Sequence, residues 1–177
     1  LKTFASWLTR YDHSLIQLVN CHWKCRLLDW LMPRITHLGG PTATIGFLIV
    51  WYLFMPEDFK AWAVEGMIAL AGSHLMVRLL KMFMPRIRPY LRLEHLHTFP
   101  NPLTDYSFPS GHTTAAFSVA VTFILHSTAF IYILLPYAVI VGFSRMYLAL
   151  HYPTDVLIGT CLGSAFAVGS VYLFQVV

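Results

Sequence analysis

The sequence predicts an all-α fold: a polytopic transmembrane helix bundle of about five to six spans, preceded by an N-terminal amphipathic segment. Three observations predict it. Of the 177 residues, 57% are hydrophobic and only 11% charged, whereas a soluble domain carries roughly a quarter charged residues. The mean hydropathy is +0.62. The apolar residues also form runs close to the ~20 residues a helix needs to cross a bilayer. The aromatic content of 15% suits a chain whose Trp and Tyr gather at membrane interfaces. The length fits a single domain: residues 1–40 interfacial, and 41–177 a bundle that carries the site.

Within residues 1–40, Leu15, Ile16, Val19, Trp23, Leu27 and Leu31 recur at helical spacing among charges. That pattern describes one or two amphipathic helices in the interface, with a further full span as the alternative. The first apolar run, Pro41–Met55, reaches spanning length only with the preceding "THLGG". Further spans are expected at Phe59–Met82, Gly111 to about Thr128, about Ala129 to Ala149, and Pro153–Val177. The break after Thr128 is the least marked, because "LHSTAF" is hardly polar. Between the second and third spans lies a polar segment, Met84–Ser110, with four prolines before Pro109, three arginines and two histidines. A connection that long in a compact protein is usually functional or disordered.

Other classes are excluded or left without support. The formal charge is only +4, the basic residues form no stripe, and the aromatics sit in apolar runs, so a nucleic-acid partner is not expected. The start, "LKTFASWLTRYDHS", lacks the apolar core and small-residue cleavage site of a signal peptide. Cys21 and Cys25 are one helical turn apart around His22, but no second pair completes a metal site; Cys161 sits in an apolar helix.

Alternating spans bring Lys81, Arg88, Ser110, His112, Arg145, His151 and Asp155 to one membrane face. Lys81, Arg88 and Arg145 need an anion among them, and phosphate fits: arginine offers a planar fork and lysine a point charge. Ser110 and Gly111 begin a helix, whose first amides are unpaired and positively polarised. There a glycine lets an anion come close, although Ser110 can equally be a plain N-cap. Asp155 follows His151 by four residues, one helical turn, so it can accept a hydrogen bond from one ring nitrogen. The other nitrogen then keeps a lone pair for attack, and His112 can serve as the acid on the opposite side of the scissile bond. Either histidine alone reads as structural; two beside three cations and a carboxylate read as catalytic. With fixed cations supplying the charge, and no metal-binding or Walker-type motif, neither metal nor cofactor is expected.

Lys81-x6-Arg88-Pro89, Pro109-Ser110-Gly111-His112 and Ser144-Arg145-x5-His151-x3-Asp155 together resemble the three-part signature of the type 2 phosphatidic acid phosphatase superfamily. The resemblance covers about residues 60–175; the N-terminal third contributes only size and hydrophobicity to it. It implies about six helices and metal-free hydrolysis of a lipid phosphate or diphosphate. Its implied roles are a His151 nucleophile forming a phosphohistidine, Asp155 orienting it, and His112 protonating the leaving oxygen. Lys81, Arg88, Ser110, Gly111 and Arg145 would hold the phosphoryl oxygens. The compact N-terminus and "HYPTDV" look most like bacterial undecaprenyl-diphosphate phosphatases, with phosphatidylglycerophosphate phosphatases close behind. Ser144 belongs to the signature, but its hydroxyl can simply cap the fourth span.

Some readings stay open at this stage. A phosphotransferase would share the phosphohistidine, and a phosphatidylglycerophosphate or phosphatidic acid phosphatase would share every motif. A membrane protein that merely binds anionic headgroups leaves His151-x3-Asp155 without a purpose, and a vanadium haloperoxidase would be a larger soluble protein. His74 and Arg78, seven and three residues before Lys81, share its helical face. Ionisable groups inside a span point to function, against the plainer reading in which Arg78 snorkels and His74 bonds a carbonyl. Glu65 is expected to reach water at the far end. Lys2, Arg10, Lys24, Arg26, Arg34, Arg86 and Arg92 lie on the site face and Lys60 opposite. Positive-inside counting then puts the site in the cytoplasm, while the resemblance puts it outside, in a bacterial cytoplasmic membrane. Nothing in the sequence speaks to oligomeric state.

Overall fold

The computed structural model describes residues 2–98 and 104–176, and of residues 2–6 the backbone alone. Pro100 and Pro102 of the polar segment, Val177 and the Lys2 side chain lie outside the described residues. Among the described residues there are eight α-helices and no strand. Helix α1 (Lys2–Gln17) runs into a π-helical turn (Leu18–His22) and is followed by α2 (Arg26–Leu38) and α3 (Pro41–Phe54). Next come α4 (Glu57–Phe83), the short α5 (Pro89–Arg92) and α6 (Gly111–His126). A 3-10 turn (Thr128–Phe130) leads into α7 (Ile131–Tyr147), and α8 (Pro153–Val176) completes the bundle.

The boundaries follow local chemistry. Pro41 and Pro153 occupy first-turn positions, where a missing N–H costs nothing. Helix α4 carries Glu57 and Asp58 in its first turn and Lys81 in its last, each complementing the helix dipole. Helix α7 ends with Ala149 at φ 55°: its N–H bonds to Met146 O at 2.9 Å, and Leu150 N–H to Arg145 O at 3.1 Å. These two bonds close the helix and turn the chain back toward the site.

Helix α6 is the centre of the bundle, buried from Thr113 through Ala120 and again at Thr122 and Phe123. Helices α4, α7 and α8 pack around it. Its hydroxyls are satisfied internally: Thr114 donates to Ser110 O (2.9 Å), Ser118 to Thr114 O (2.9 Å) and Thr122 to Ser118 O (2.8 Å). Ser118 Oγ also lies 2.9 Å from Ser73 Oγ of α4. Small residues let α8 approach α6 closely, the usual device where lipid supplies no hydrophobic drive between helices. A β-carbon on Gly163 would lie 2.4 Å from Thr114 O and 2.9 Å from Ser118 N. Large apolar side chains such as Phe54, Leu75, Ile133, Leu157 and Leu173 are exposed on the outside, as lipid contact requires.

Three expectations change. Among the described residues, three helices are long and apolar enough to cross a membrane (Glu57–Phe83, Thr128–Tyr147 and Pro153–Val176), or four if α2 and α3 are one span bent by 55°. By length and composition the five to six expected spans are not reached, because α6 has only 16 residues and α3 only 14, the latter being separated from α2 at Gly39–Gly40. Glu65 does not reach water: it is 3% exposed and pairs with His126 Nε2, against which Trp62 stacks at 4.7 Å. Cys21 and Cys25 do not share a helical face, since the helix ends at His22 and Cys25 is extended (φ −153°, ψ 158°).

Candidate active site

The end of α4, the start of α6, the end of α7 and the start of α8 meet at one end of the bundle, and the chain between α4 and α6 folds over them. Arg88, just after α4, is 1% exposed. Its Nη1 donates to Leu150 O at 2.7 Å and approaches His151 Nε2 at 3.2 Å. Its Nε donates to Asp105 O at 2.7 Å, and its Nη2 bonds Asp105 Oδ1. Lys81 Nζ pairs with the other Asp105 oxygen.

His151 sits in the turn between α7 and α8, 2% exposed. Its Nδ1 is 2.6 Å from Ser107 O. A carbonyl oxygen only accepts, so Nδ1 carries the proton and Nε2 keeps the lone pair. Arg88 donates to that same Nε2. Burial, and then the charges of Arg145, Arg88 and Lys81, hold the His151 imidazole well below the ordinary histidine pKa. The ring is therefore neutral, the form a nucleophile needs.

The expected bond from His151 to Asp155 is not formed. Nδ1 and Asp155 Oδ2 are 3.8 Å apart, because Ser107 O has taken the proton. Asp155 instead accepts from Tyr152 N–H through Oδ2 (2.8 Å) and from Arg86 Nη1 through Oδ1 (2.6 Å). Its own carbonyl accepts from Ser110 N–H at 3.1 Å. The carboxylate thus fixes the turn that carries His151 rather than touching the ring proton.

Arg145, the last basic residue of α7, is 2% exposed. Its Nη1 donates to Thr36 Oγ1 of α2, and its Nε and Nη2 are buried without a hydrogen-bond partner among the described residues. Buried guanidinium donors left unpaired are costly, and two of them on one edge suit a bidentate anion. Ser110 occupies the N-cap position of α6, but no side chain caps that end; its Oγ bonds Thr113 Oγ1 at 2.8 Å. The first α6 amides are thus left to another acceptor. A β-carbon on Gly111 would meet nothing nearer than Val77 Cγ1 at 3.8 Å, so glycine keeps this approach open without packing demanding it. Ser144 Oγ donates to Val141 O at 2.6 Å.

A cavity of about 910 Å³ opens onto this end; Lys81, Asp105, Gly111 and His112 line it, as do His74 and Arg78. All eight residues singled out from the sequence therefore lie at one end of the bundle, with His112 on the cavity wall and His151 behind the cation cradle.

Besides the Ser107 carbonyl, four participants were not among the residues expected from the sequence. Asp105 bridges Lys81 and Arg88. Burial pushes its carboxyl up, but those two cations outweigh it and hold it at about 2. Asp12 of α1 accepts from Arg86 Nη2 (2.5 Å) and from Thr154 Oγ1 (2.6 Å) and N–H (2.9 Å). Thr36 holds Arg145. Gly39 packs where a β-carbon would lie 2.8 Å from His112 O. None sits in a motif; the Gly-Gly pair before Pro41, read only as an extension of the first span, is the one signal the sequence carried. The N-terminal third thus supplies more than size, since α1 and α2 each contribute a residue that braces the site.

The PAP2 superfamily pattern matches residues 60–177. An undecaprenyl-diphosphatase of Sulfolobus acidocaldarius is 37% identical over 87% of this chain and 74% of its own length. Phosphatidylglycerophosphatase B of Bacillus subtilis is 33% identical over 77% and 70%. The crystal structure of Aquifex aeolicus LpxE superposes with a TM-score of 0.81 at 30% identity, over 90% of this chain and 93% of that one. A phosphatidylglycerolphosphate phosphatase structure from Bacillus subtilis has a TM-score of 0.82 at 23% identity, over 96% and 87%, a likeness of fold. Family pattern, relatives and site geometry agree, and the chain belongs to the PAP2 superfamily.

Proposed function

We propose that this PAP2 enzyme hydrolyses a membrane lipid diphosphate, undecaprenyl diphosphate being the best match, through a phosphohistidine on His151. The observation that carries the reading is the pairing of two features: a buried neutral His151 whose Nε2 lone pair abuts Arg88, and the unpartnered Nε and Nη2 of Arg145. The first is a nucleophile, the second an anion clamp. In the reaction, Nε2 attacks the terminal phosphorus and the bond from phosphorus to the leaving oxygen breaks. His112, on the cavity wall, gives that oxygen its proton. Arg88 and Arg145, with Lys81, Ser110 Oγ and the Gly111 amide, hold the phosphoryl oxygens, where charge spreads in the transition state. Water then attacks phosphorus, His112 takes its proton, the N–P bond breaks, and orthophosphate leaves. Ser107 O and the Asp155 network keep the ring in the required tautomer and place.

Asp105 occupies the Lys81–Arg88 pair as a resident carboxylate, so substrate phosphate displaces it. The cations bear the charge a metal would bear, and no cofactor is called for. The site faces outward from a cytoplasmic membrane in this reading. Labelling Arg92→Cys with an impermeant thiol reagent, after replacing Cys21, Cys25 and Cys161, tests that: protection in intact cells contradicts it.

The substrate test is phosphate release from undecaprenyl diphosphate, its monophosphate, phosphatidic acid and phosphatidylglycerophosphate, with excess EDTA and no added acceptor. The expected result is release that survives chelation and is fastest on the diphosphate. Release that needs added Mg²⁺ contradicts the metal-free mechanism. Release that needs an acceptor alcohol makes the chain a phosphotransferase, and a preference for a glycerophospholipid names that class instead.

A further inference from the structure

Helix α4 carries a cation that the mechanism above does not use. Arg78 lies within the apolar length of α4, lines the same cavity as Lys81 and His112, and has no hydrogen-bond or ion-pair partner among the described residues. Its neighbours at the site differ. Lys81 and Arg88 share Asp105, Arg86 is held by Asp12 and Asp155, and Arg145 donates to Thr36. An ionisable group inside a span is expensive and is kept for a purpose. Arg78 is five residues short of the helix end at Phe83, about 7.5 Å along the axis at 1.5 Å per residue. It sits one turn from Lys81, roughly 4.5 Å deeper toward the lipid side.

That offset places two positive centres along the path a lipid phosphate takes into the cradle. A phosphoryl group at Arg88 and Arg145 is the one attacked. A second phosphoryl group, bonded to it and joined to the lipid, would extend into the cavity that Lys81 and Arg78 line. His74, one further turn away, lines the cavity too, but its Nδ1 is already engaged with Leu70 O at 3.2 Å, whereas the Arg78 guanidinium is not engaged among the described residues. We propose that Arg78 is a second anion subsite that binds the lipid-linked phosphoryl group of a diphosphate substrate and so sets a preference for diphosphates over monophosphates. This rests on the phosphatase reading above. When the anhydride bond breaks, the electron pair goes to the bridging oxygen, and charge builds on the leaving lipid monophosphate until His112 protonates it. Arg78 meets that charge with a guanidinium donor, an interaction stronger in the transition state than before it. A monophosphate, whose leaving group is an alcohol, gains nothing from Arg78 there.

The test compares farnesyl diphosphate with farnesyl monophosphate, which share a tail and differ by one phosphoryl group. Phosphate release is measured in detergent for the parent, Arg78→Gln and Arg78→Lys. In Arg78→Gln the diphosphate-to-monophosphate ratio of kcat/KM is expected to fall at least tenfold; Arg78→Lys recovers part of it. Inhibition by methylenediphosphonate, which cannot be cleaved at its P–C–P bridge, weakens in Arg78→Gln relative to inhibition by orthophosphate. An unchanged ratio overturns the proposal and leaves the phosphatase reading standing; so does an equal loss on both substrates, which makes Arg78 a snorkelling or structural residue. A parent active on the monophosphate alone also overturns it. A parent that releases phosphate from neither farnesyl substrate nor from the lipid panel overturns the phosphatase reading itself. If Arg78→Gln fails to fold, as judged by its melting and size-exclusion profile, the decision passes to Arg78→Lys and the diphosphonate comparison in the parent. Diphosphonate binding no tighter than orthophosphate then counts against the subsite.

Discussion

His151 and His112 are both histidines at one face, yet their surroundings differ, and the proposed mechanism gives them different work. His151 is buried, has its Nδ1 proton fixed by Ser107 O at 2.6 Å, and meets Arg88 through Nε2. His112 lines the open cavity and has no hydrogen-bond partner among the described residues. In the proposed mechanism, removing the His151 nucleophile abolishes turnover of every substrate. Removing an acid costs roughly 10²–10⁴-fold, and less when the leaving group departs without a proton. His112→Ala is therefore expected to recover activity on p-nitrophenyl phosphate relative to a lipid phosphate, whereas His151→Ala recovers none. The reverse pattern exchanges the two roles. At this scale the sequence showed which side chains gather, because charged and polar residues are rare in the chain and their spacing is regular. It did not show the bond to His151, because a backbone carbonyl such as that of Ser107 has no residue-type signature. Nor did it show Asp105, a lone carboxylate in a loop.

The helices were legible because apolar runs, flanking prolines and terminal charges all mark the same boundaries. The α4 and α8 limits lie within two residues of those expected. Membrane crossing was less so, because α6 is sheathed by α4, α7 and α8 and needs neither the length nor the outward apolar face of a lipid-exposed span. The close contact of α6 with α8 was not legible either, since glycines in an apolar run look alike. Gly163 and Gly46 separate in the structure. A β-carbon at Gly163 meets backbone at 2.4 Å, and one at Gly46 meets nothing within 4 Å. Gly163→Ala pushes α8 away from the helix that begins with Ser110 and is expected to destabilise the protein by about 1–3 kcal/mol. Gly46→Ala, in the middle of α3, is expected to be neutral or stabilising by up to ~1 kcal/mol. Thermal unfolding in detergent measures both. Equal effects at the two positions contradict the close α6–α8 packing.

The whole molecule is a short helical bundle whose polar chemistry collects at one end. That end is braced from the N-terminal third of the chain: Asp12 of α1 holds Arg86 and Thr154, Thr36 of α2 holds Arg145, and Arg86 closes the circuit on Asp155. Residues 1–40 read as an amphipathic collar because their pattern is amphipathic; their contact with the site depends on long-range pairing that periodicity does not encode. In the proposed reaction, phosphorus passes through His151. The most direct measurement of this route uses substrate labelled on the terminal phosphoryl group, a rapid quench, and mapping of the protein-bound label. An acid-labile, alkali-stable label is expected on His151 in the parent and none in His151→Ala. A label on another residue, or one that persists in His151→Ala, contradicts this route.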